Sequence, residues 1–198
     1  MKINKDTLFI FTVLLVTAAL YRLIPFRPAG FAPQMALAIF GGALIKDKKW
    51  ALTFPILSLF ISDLMFQGLF LAGLVDIKGI YAGQWQLYVC FLLITVFGFF
   101  MKKVTFKNAL IFSGAGSIIF FIISNFAVWL GGGGFARPRT LEGLKFTYFD
   151  ALIFYRDGGL IKGFPGNFLI HDLIWGALLF GAYFLYKKYR SSTEVAVN

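Results

Sequence analysis

The chain has 198 residues, 59% of them hydrophobic and 14% charged, with a formal net charge of +10 and a mean hydropathy of +0.79. Soluble domains carry about a quarter charged residues, so this composition excludes an ordinary soluble fold and describes an all-α, polytopic membrane protein. No soluble basic domain exists to engage nucleic acid, and one cysteine (Cys90) with one histidine (His171) excludes a disulfide, a thiolate cluster and a multi-histidine metal site.

Residues 7–24 form the first apolar run, preceded by Lys2 and Lys5. The run is longer than a secretory h-region, and Tyr21-Arg22-Leu23 follows in place of a small-residue cleavage site, so it reads as a retained span. The second run begins after Pro25, Arg27 and Pro28. Its helical part, residues 33–45, rises only ~20 Å and cannot cross a ~30 Å hydrocarbon layer alone. Residues 25–32 therefore finish the crossing in irregular form, buried in protein or lining a wet cavity. Pro33 suits a first helical turn, where a missing N–H costs nothing. Beyond the basic knot Lys46-Asp47-Lys48-Lys49, the third span covers residues 50–70, with Pro55 as a kink, and climbs back to Asp63. Ala32 and Asp63 thus share one depth, near the opposite face.

The fourth span covers residues 84–101 and the fifth residues 108–130, ending in four glycines at 131–134 that read as a hinge. The only long connection, residues 131–164, carries Leu144, Tyr148, Leu152 and Tyr155 at helical spacing, a pattern for a short amphipathic helix along the membrane surface. The last span, residues 164–186, is closed by Lys187-Lys188-Tyr189-Arg190. The sum is a single domain over residues 1–198, a six-helix bundle with a short broken second helix and residues 131–164 as an outer lid.

Orientation follows from Lys and Arg in the short connections. With the N-terminus inside, the inner segments hold eleven: Lys2, Lys5, Lys46, Lys48, Lys49, Lys102, Lys103, Lys107, Lys187, Lys188 and Arg190. The short outer loops hold three: Arg22, Arg27 and Lys78. An even number of spans therefore leaves both termini on the cytoplasmic side of the bacterial cytoplasmic (inner) membrane.

Counting from these anchors gives each polar residue a depth. Arg22, Asp63, Gln67, Gln86, Tyr88, Asn125, Trp129, Asn167, His171, Asp172 and Trp175 fall in the outer half or at its edge. The inner half carries small residues suited to helix packing, such as Gly41, Gly42, Gly114, Gly116 and Gly181. This asymmetry describes a pocket open to the outside. Asp63 within a span marks a functional site or a structural partner for Arg22 or His171. His171 and Asp172, adjacent on a helix, point about 100° apart and make no ready acid–base dyad. HExxH, GxSxG and P-loop patterns are absent, so no enzyme and no cofactor is expected, although Asp63, Asp157 and Asp172 leave a carboxylate-only mechanism open.

Arg22, Phe31-Ala32-Pro33, Ala36-Leu37-Ala38, Phe40-Gly41-Gly42-Ala43, Pro55, Ser62-Asp63, Asn125-Phe126 and Trp129 together resemble an uncharacterised family of bacterial membrane transport proteins. That family is similar in size and span count to the S components of energy-coupling factor (ECF) transporters. Two positions differ from those patterns: Gly30 stands in place of Asn, and the first span lacks an Ala-x-x-x-Ala surface. The resemblance implies a ligand entering from outside and sitting among the second, third, fifth and sixth spans, under the long loop. It also implies an energising membrane subunit and an ATPase as partners.

The expected function is binding of a small anionic or amphiphilic nutrient for uptake. The expected contacts are Arg22, Phe31, Pro33, Asp63, Asn125, Trp129, Asn167, His171 and Trp175, with the positive end of the short second helix aimed at the pocket. The alternatives are an accessory subunit of a larger membrane complex and an integral-membrane enzyme acting on a lipid-linked substrate.

Overall fold

The computed structural model describes the backbone of residues 5–196 and the side chains of residues 12–189 and 192. Lys2 and the side chains of Lys5 and Arg190, which enter the charge count, lie outside the described residues. Among the described residues there are seven helices and no strand: α1 (Lys5–Tyr21), α2 (Gln34–Leu44), α3 (Lys48–Leu71), α4 (Gln84–Gly98), α5 (Phe106–Gly131), α6 (Leu141–Gly158) and α7 (Asn167–Ala196). Three stretches are long and apolar enough to cross a membrane, Lys48–Leu71, Phe106–Gly131 and Asn167–Tyr189, and the apolar parts of α1, α2 and α4 are shorter.

Local chemistry sets the ends. Asp47 caps α3 by accepting from the Lys49 and Trp50 amides at 2.9 and 3.4 Å. Thr105 and Thr140 cap α5 and α6 through the amides of Asn108 and Gly143. Each cap satisfies donors that a helix leaves unpaired in its first turn. Gly132, at φ 71°, ends α5 in the left-handed conformation that glycine adopts without strain. α1 stops at Tyr21, short of the apolar run's end, because the Leu23 and Ile24 amides turn back onto the Leu20 and Tyr21 carbonyls before Pro25. Pro33 stands one residue before α2 and serves as its N-cap.

α2 is the centre of the bundle. Residues 34–42 are all buried, and α2 packs against α3, α4, α5 and α7. Met35, Ile39 and Phe40 of α2 join Phe54, Leu59, Phe91, Ile94 and Phe180 in one apolar core. Glycines make the close approaches. A Cβ on Gly42 would collide with the Thr95 carbonyl oxygen, and one on Gly98 would stand 2.8 Å from the Ile39 carbonyl oxygen. Gly41 lies against Ala51, whose carbonyl has lost its helical partner because Pro55 has no N–H. Lys48 Nζ sits 3.7 Å above the Phe99 ring, tying the α2–α3 turn to the end of α4.

Two alanine substitutions should move stability in opposite directions. Gly42→Ala overpacks the α2–α4 crossing and should cost about 1–3 kcal/mol. Gly68→Ala, where nothing lies within 4 Å of the new Cβ, should gain up to about 1 kcal/mol from helix propensity. Thermal unfolding in detergent micelles reads both, and equal effects would contradict the tight crossing.

Candidate functional site

α2 begins part-way through the bundle, and its N-terminal end leaves a space that the other elements enclose. This cavity has a volume of about 200 Å³. Arg22, Arg27, Gly30 and Ala32 line it from the α1–α2 connection, and Gln34 and Met35 from α2. Leu59, Leu87 and Phe91 come from α3 and α4, Ser117, Phe120 and Phe121 from α5, Tyr155 from α6, and Phe168 and Asp172 from α7. Its body is aromatic and its polar groups are few, the usual composition of a small-molecule site.

The cationic side is built by two arginines with different surroundings. Arg22 Nη1 is 2.8 Å from Asp63 Oδ1, donates to the Ser62 hydroxyl, and reaches the Leu59 carbonyl at 3.3 Å. The other Asp63 oxygen accepts from Gln84 Nε2 at 2.5 Å and from the Tyr88 hydroxyl at 2.7 Å. Gln84 also donates to the Gly79 carbonyl, and a Cβ on Gly79 would collide with the Asp63 backbone. Asp63 is thus a satisfied buried carboxylate that ties the end of α1 to α3, α4 and the α3–α4 loop. It neutralises Arg22 at the cavity wall and does not itself line the cavity.

Arg27 has no such partner. The backbone turns sharply at Phe26, whose φ of 60° is uncommon outside glycine. Arg27 then folds back, its Nε 3.2 Å from the Arg22 carbonyl and its Nη1 3.4 Å from the Phe31 carbonyl. The described residues form three ion pairs, Arg22–Asp63, Arg137–Asp150 and Arg156–Asp157, and Arg27 is in none of them.

The acceptors lie deeper. Gln34 is only 3% exposed; its Nε2 donates to the Ala18 carbonyl at 2.9 Å, which fixes the amide orientation, and its Oε1 has no partner. Asp172 is buried on α7, near the Ser117 hydroxyl, which donates to the Phe168 carbonyl at 3.2 Å.

α6 closes one side, held at both ends. Near its start, the Trp129 indole donates to the Pro138 carbonyl at 2.9 Å and the Tyr148 hydroxyl to the Ile122 carbonyl at 2.8 Å. At its end, Asn167 accepts from the Ile161 amide and donates to the carbonyls of Tyr155, Ile161 and Phe164. His171 Nε2 accepts from the Leu160 amide at 3.2 Å, and the Ala29 amide donates to the Gly158 carbonyl at 2.6 Å. Gly30, at φ 71°, leaves room for Tyr155; a Cβ there would stand 2.6 Å from that ring.

Of the residues singled out from sequence, Arg22 lines the cavity and Asp63 is its ion-pair partner. Pro33 caps α2. Phe31 packs behind the wall, 5.1 Å from the His171 ring and 5.4 Å from the Trp175 ring. His171 Nδ1 and Trp175 Nε1 are buried without partners, whereas Asn167 is committed to the α6–α7 loop. Asn125 lines a second space of about 280 Å³ between α5 and α6, and Trp129 anchors the loop beside it. Sequence depth missed Gln34, Ser117, Tyr155 and the Phe120–Phe121 pair. A glutamine opening an otherwise apolar short helix was the available signal.

A family of unknown function (DUF6580) matches the chain over residues 2–194. The chain belongs to this family. No curated protein and no solved structure matches it. The chemistry of this DUF6580 member must therefore be read from its own cavity.

Breaking the buried Arg22–Asp63 pair from one side leaves a bare charge, so Asp63→Asn should cost about 3–5 kcal/mol. The Arg22→Gln/Asp63→Asn double variant should recover much of that loss. Chemical unfolding in micelles measures the cycle, and a neutral Asp63→Asn would contradict the structural role.

At the loop, Arg137 hydrogen-bonds Asp150 at 2.8 and 2.9 Å and holds its carboxyl below the usual range. With the folded value depressed, this contribution is whole above about pH 3.9 and is lost as pH falls through the folded value. Hydrogen-exchange protection of α6, corrected for intrinsic rate, should be flat from about pH 7 to 5 and fall below about pH 4. Arg137→Gln should remove that step.

Proposed function

We propose that this protein is a substrate-binding component for uptake of a small molecule, with the cavity at the N-terminal end of α2 as its site. The observation that carries the reading is the pairing of one uncompensated cation, Arg27, with an aromatic, largely apolar chamber under an anchored surface helix. Such a chamber holds a ligand by burial and orients it by charge. Supporting it, α2 directs its N-terminal end towards the cavity, and broken helices in transporters use that end to hold anionic groups.

In the membrane, α1, α2 with residues 25–32, α3, α4, α5 and α7 form six spans with both termini inside, and α6 lies along the outer face. The eleven-to-three bias of Lys and Arg supports this orientation. Within the irregular residues 25–32, Arg27, Gly30 and Ala32 line the cavity, as backbone at membrane depth requires, whereas Pro25 and Phe26 are exposed at its outer edge. The protein resides in the bacterial inner membrane and acts without chemistry of its own. Energy comes from a partner membrane subunit and an ATPase, since no nucleotide-binding motif lies in this chain. The small surfaces of Gly42, Gly98 and Gly116 are spent inside the bundle, which weakens the reading as a packing subunit.

Native mass spectrometry of protein released from mild detergent is expected to find one small molecule per chain. It should be lost from Arg27→Gln and from the cavity-filling Ala32→Phe, and retained in Arg137→Gln. A chain without ligand that carries a reproducible protein partner would contradict the proposal.

A further inference from the structure

The cavity contains two ionisable groups with no ionic partner and one buried acceptor with no hydrogen. Arg27 and Asp172 line the same space, on the α1–α2 connection and on α7, and neither belongs to any of the three ion pairs among the described residues. Arg22, the other cation there, is already neutralised by Asp63 at 2.8 Å. An ionised carboxylate in such a place is costly unless a cation meets it, and the neighbouring Ser117 hydroxyl donates to the Phe168 carbonyl at 3.2 Å. Gln34 Oε1 adds a third demand. It is buried and unpartnered, and the bond from Gln34 Nε2 to the Ala18 carbonyl prevents the amide from turning round to escape it.

A purely anionic ligand would answer Arg27 and leave Asp172 without a cation. A purely cationic one would do the reverse. Resting on the reading of this cavity as the substrate site, we infer that the ligand is a small zwitterion with a flat apolar body, an aromatic amino acid being the type. Its carboxylate pairs with Arg27, its ammonium group meets Asp172, and a donor hydrogen satisfies Gln34 Oε1. Its ring packs among Phe120, Phe121 and Phe168. The ligand is then neutral overall, so all three unmet groups are answered without adding net charge to a buried site. A hydrogen-bonding site of this kind discriminates strongly, because an analogue lacking one group leaves its partner unpaired.

The test uses three probes that differ only in their charged groups: phenylalanine, 3-phenylpropanoate and 2-phenylethylammonium, each titrated against the full chain in micelles with thermal stabilisation as readout. Phenylalanine should act at concentrations roughly tenfold or more below either singly charged probe. Asp172→Asn should erase its advantage over 3-phenylpropanoate, and Gln34→Met should weaken it without reversing the order. Because the comparison in the unmodified protein needs no variant, a misfolded Asp172→Asn does not blunt it. Equal stabilisation by 3-phenylpropanoate, abolished by Ala32→Phe, would overturn the zwitterion and leave the cavity as the substrate site. Stabilisation by none of the three would also overturn it. In that case, a co-purified ligand lost from Ala32→Phe would keep the cavity reading, and no such ligand would remove both.

Discussion

The structure depends on a short helix at the centre of its bundle. α2 has 11 residues, a rise of ~16 Å, yet it is buried on every side. Burial on all faces forces small residues at the crossings, hence Gly42 and the facing Gly98, whose backbones approach too closely for a Cβ. Shortness forces the rest. Where α2 ends, the bundle has a gap, and residues 22–33 must fill one side of it with irregular backbone whose polar groups are met by Arg27, by the Gly158 carbonyl and by local turns.

The charges around that gap divide the work. Asp63 is spent on structure: four groups from α3 and α4, the Leu59 carbonyl, Ser62, Gln84 and Tyr88, converge on it or on its partner Arg22. That network holds the cavity's cationic edge rigid, which lets Arg22 line the space without demanding a counter-charge from a ligand. Arg27 and Asp172 are left without an ionic partner and Gln34 Oε1 without a hydrogen. A site that binds by charge needs such a contrast between frame and recognition groups.

Much of this architecture was legible in the sequence. The apolar runs at 50–70, 84–101 and 108–130 coincide with α3, α4 and α5 to within a few residues, because in so hydrophobic a chain the interruptions are the signal: Pro25, the Lys46–Lys49 knot, the glycines at 131–134. The amphipathic repeat of Leu144, Tyr148, Leu152 and Tyr155 falls within α6. The site was legible only in depth. Counting from a basic turn fixes how far along a helix a residue lies, and says nothing about which way it faces. Asn167 and His171 lie in the first two turns of α7, yet one is wholly engaged and the other partly engaged in pinning the chain between α6 and α7. Tyr155, assigned to a surface helix by its period, points under that helix because Gly30 makes room for it.

The central claim is that the space at the N-terminal end of α2 opens to the outside and receives a ligand from there. Ala32→Cys in a Cys90→Ala background, treated in intact cells with a membrane-impermeant thiol reagent, tests it most directly. The account predicts modification of Ala32→Cys from the outside, alongside an outer-loop control at Lys78→Cys and in contrast to an inner-turn control at Lys46→Cys. Labelling of Ala32→Cys only after the inner face is exposed, with both controls behaving as expected, would contradict it.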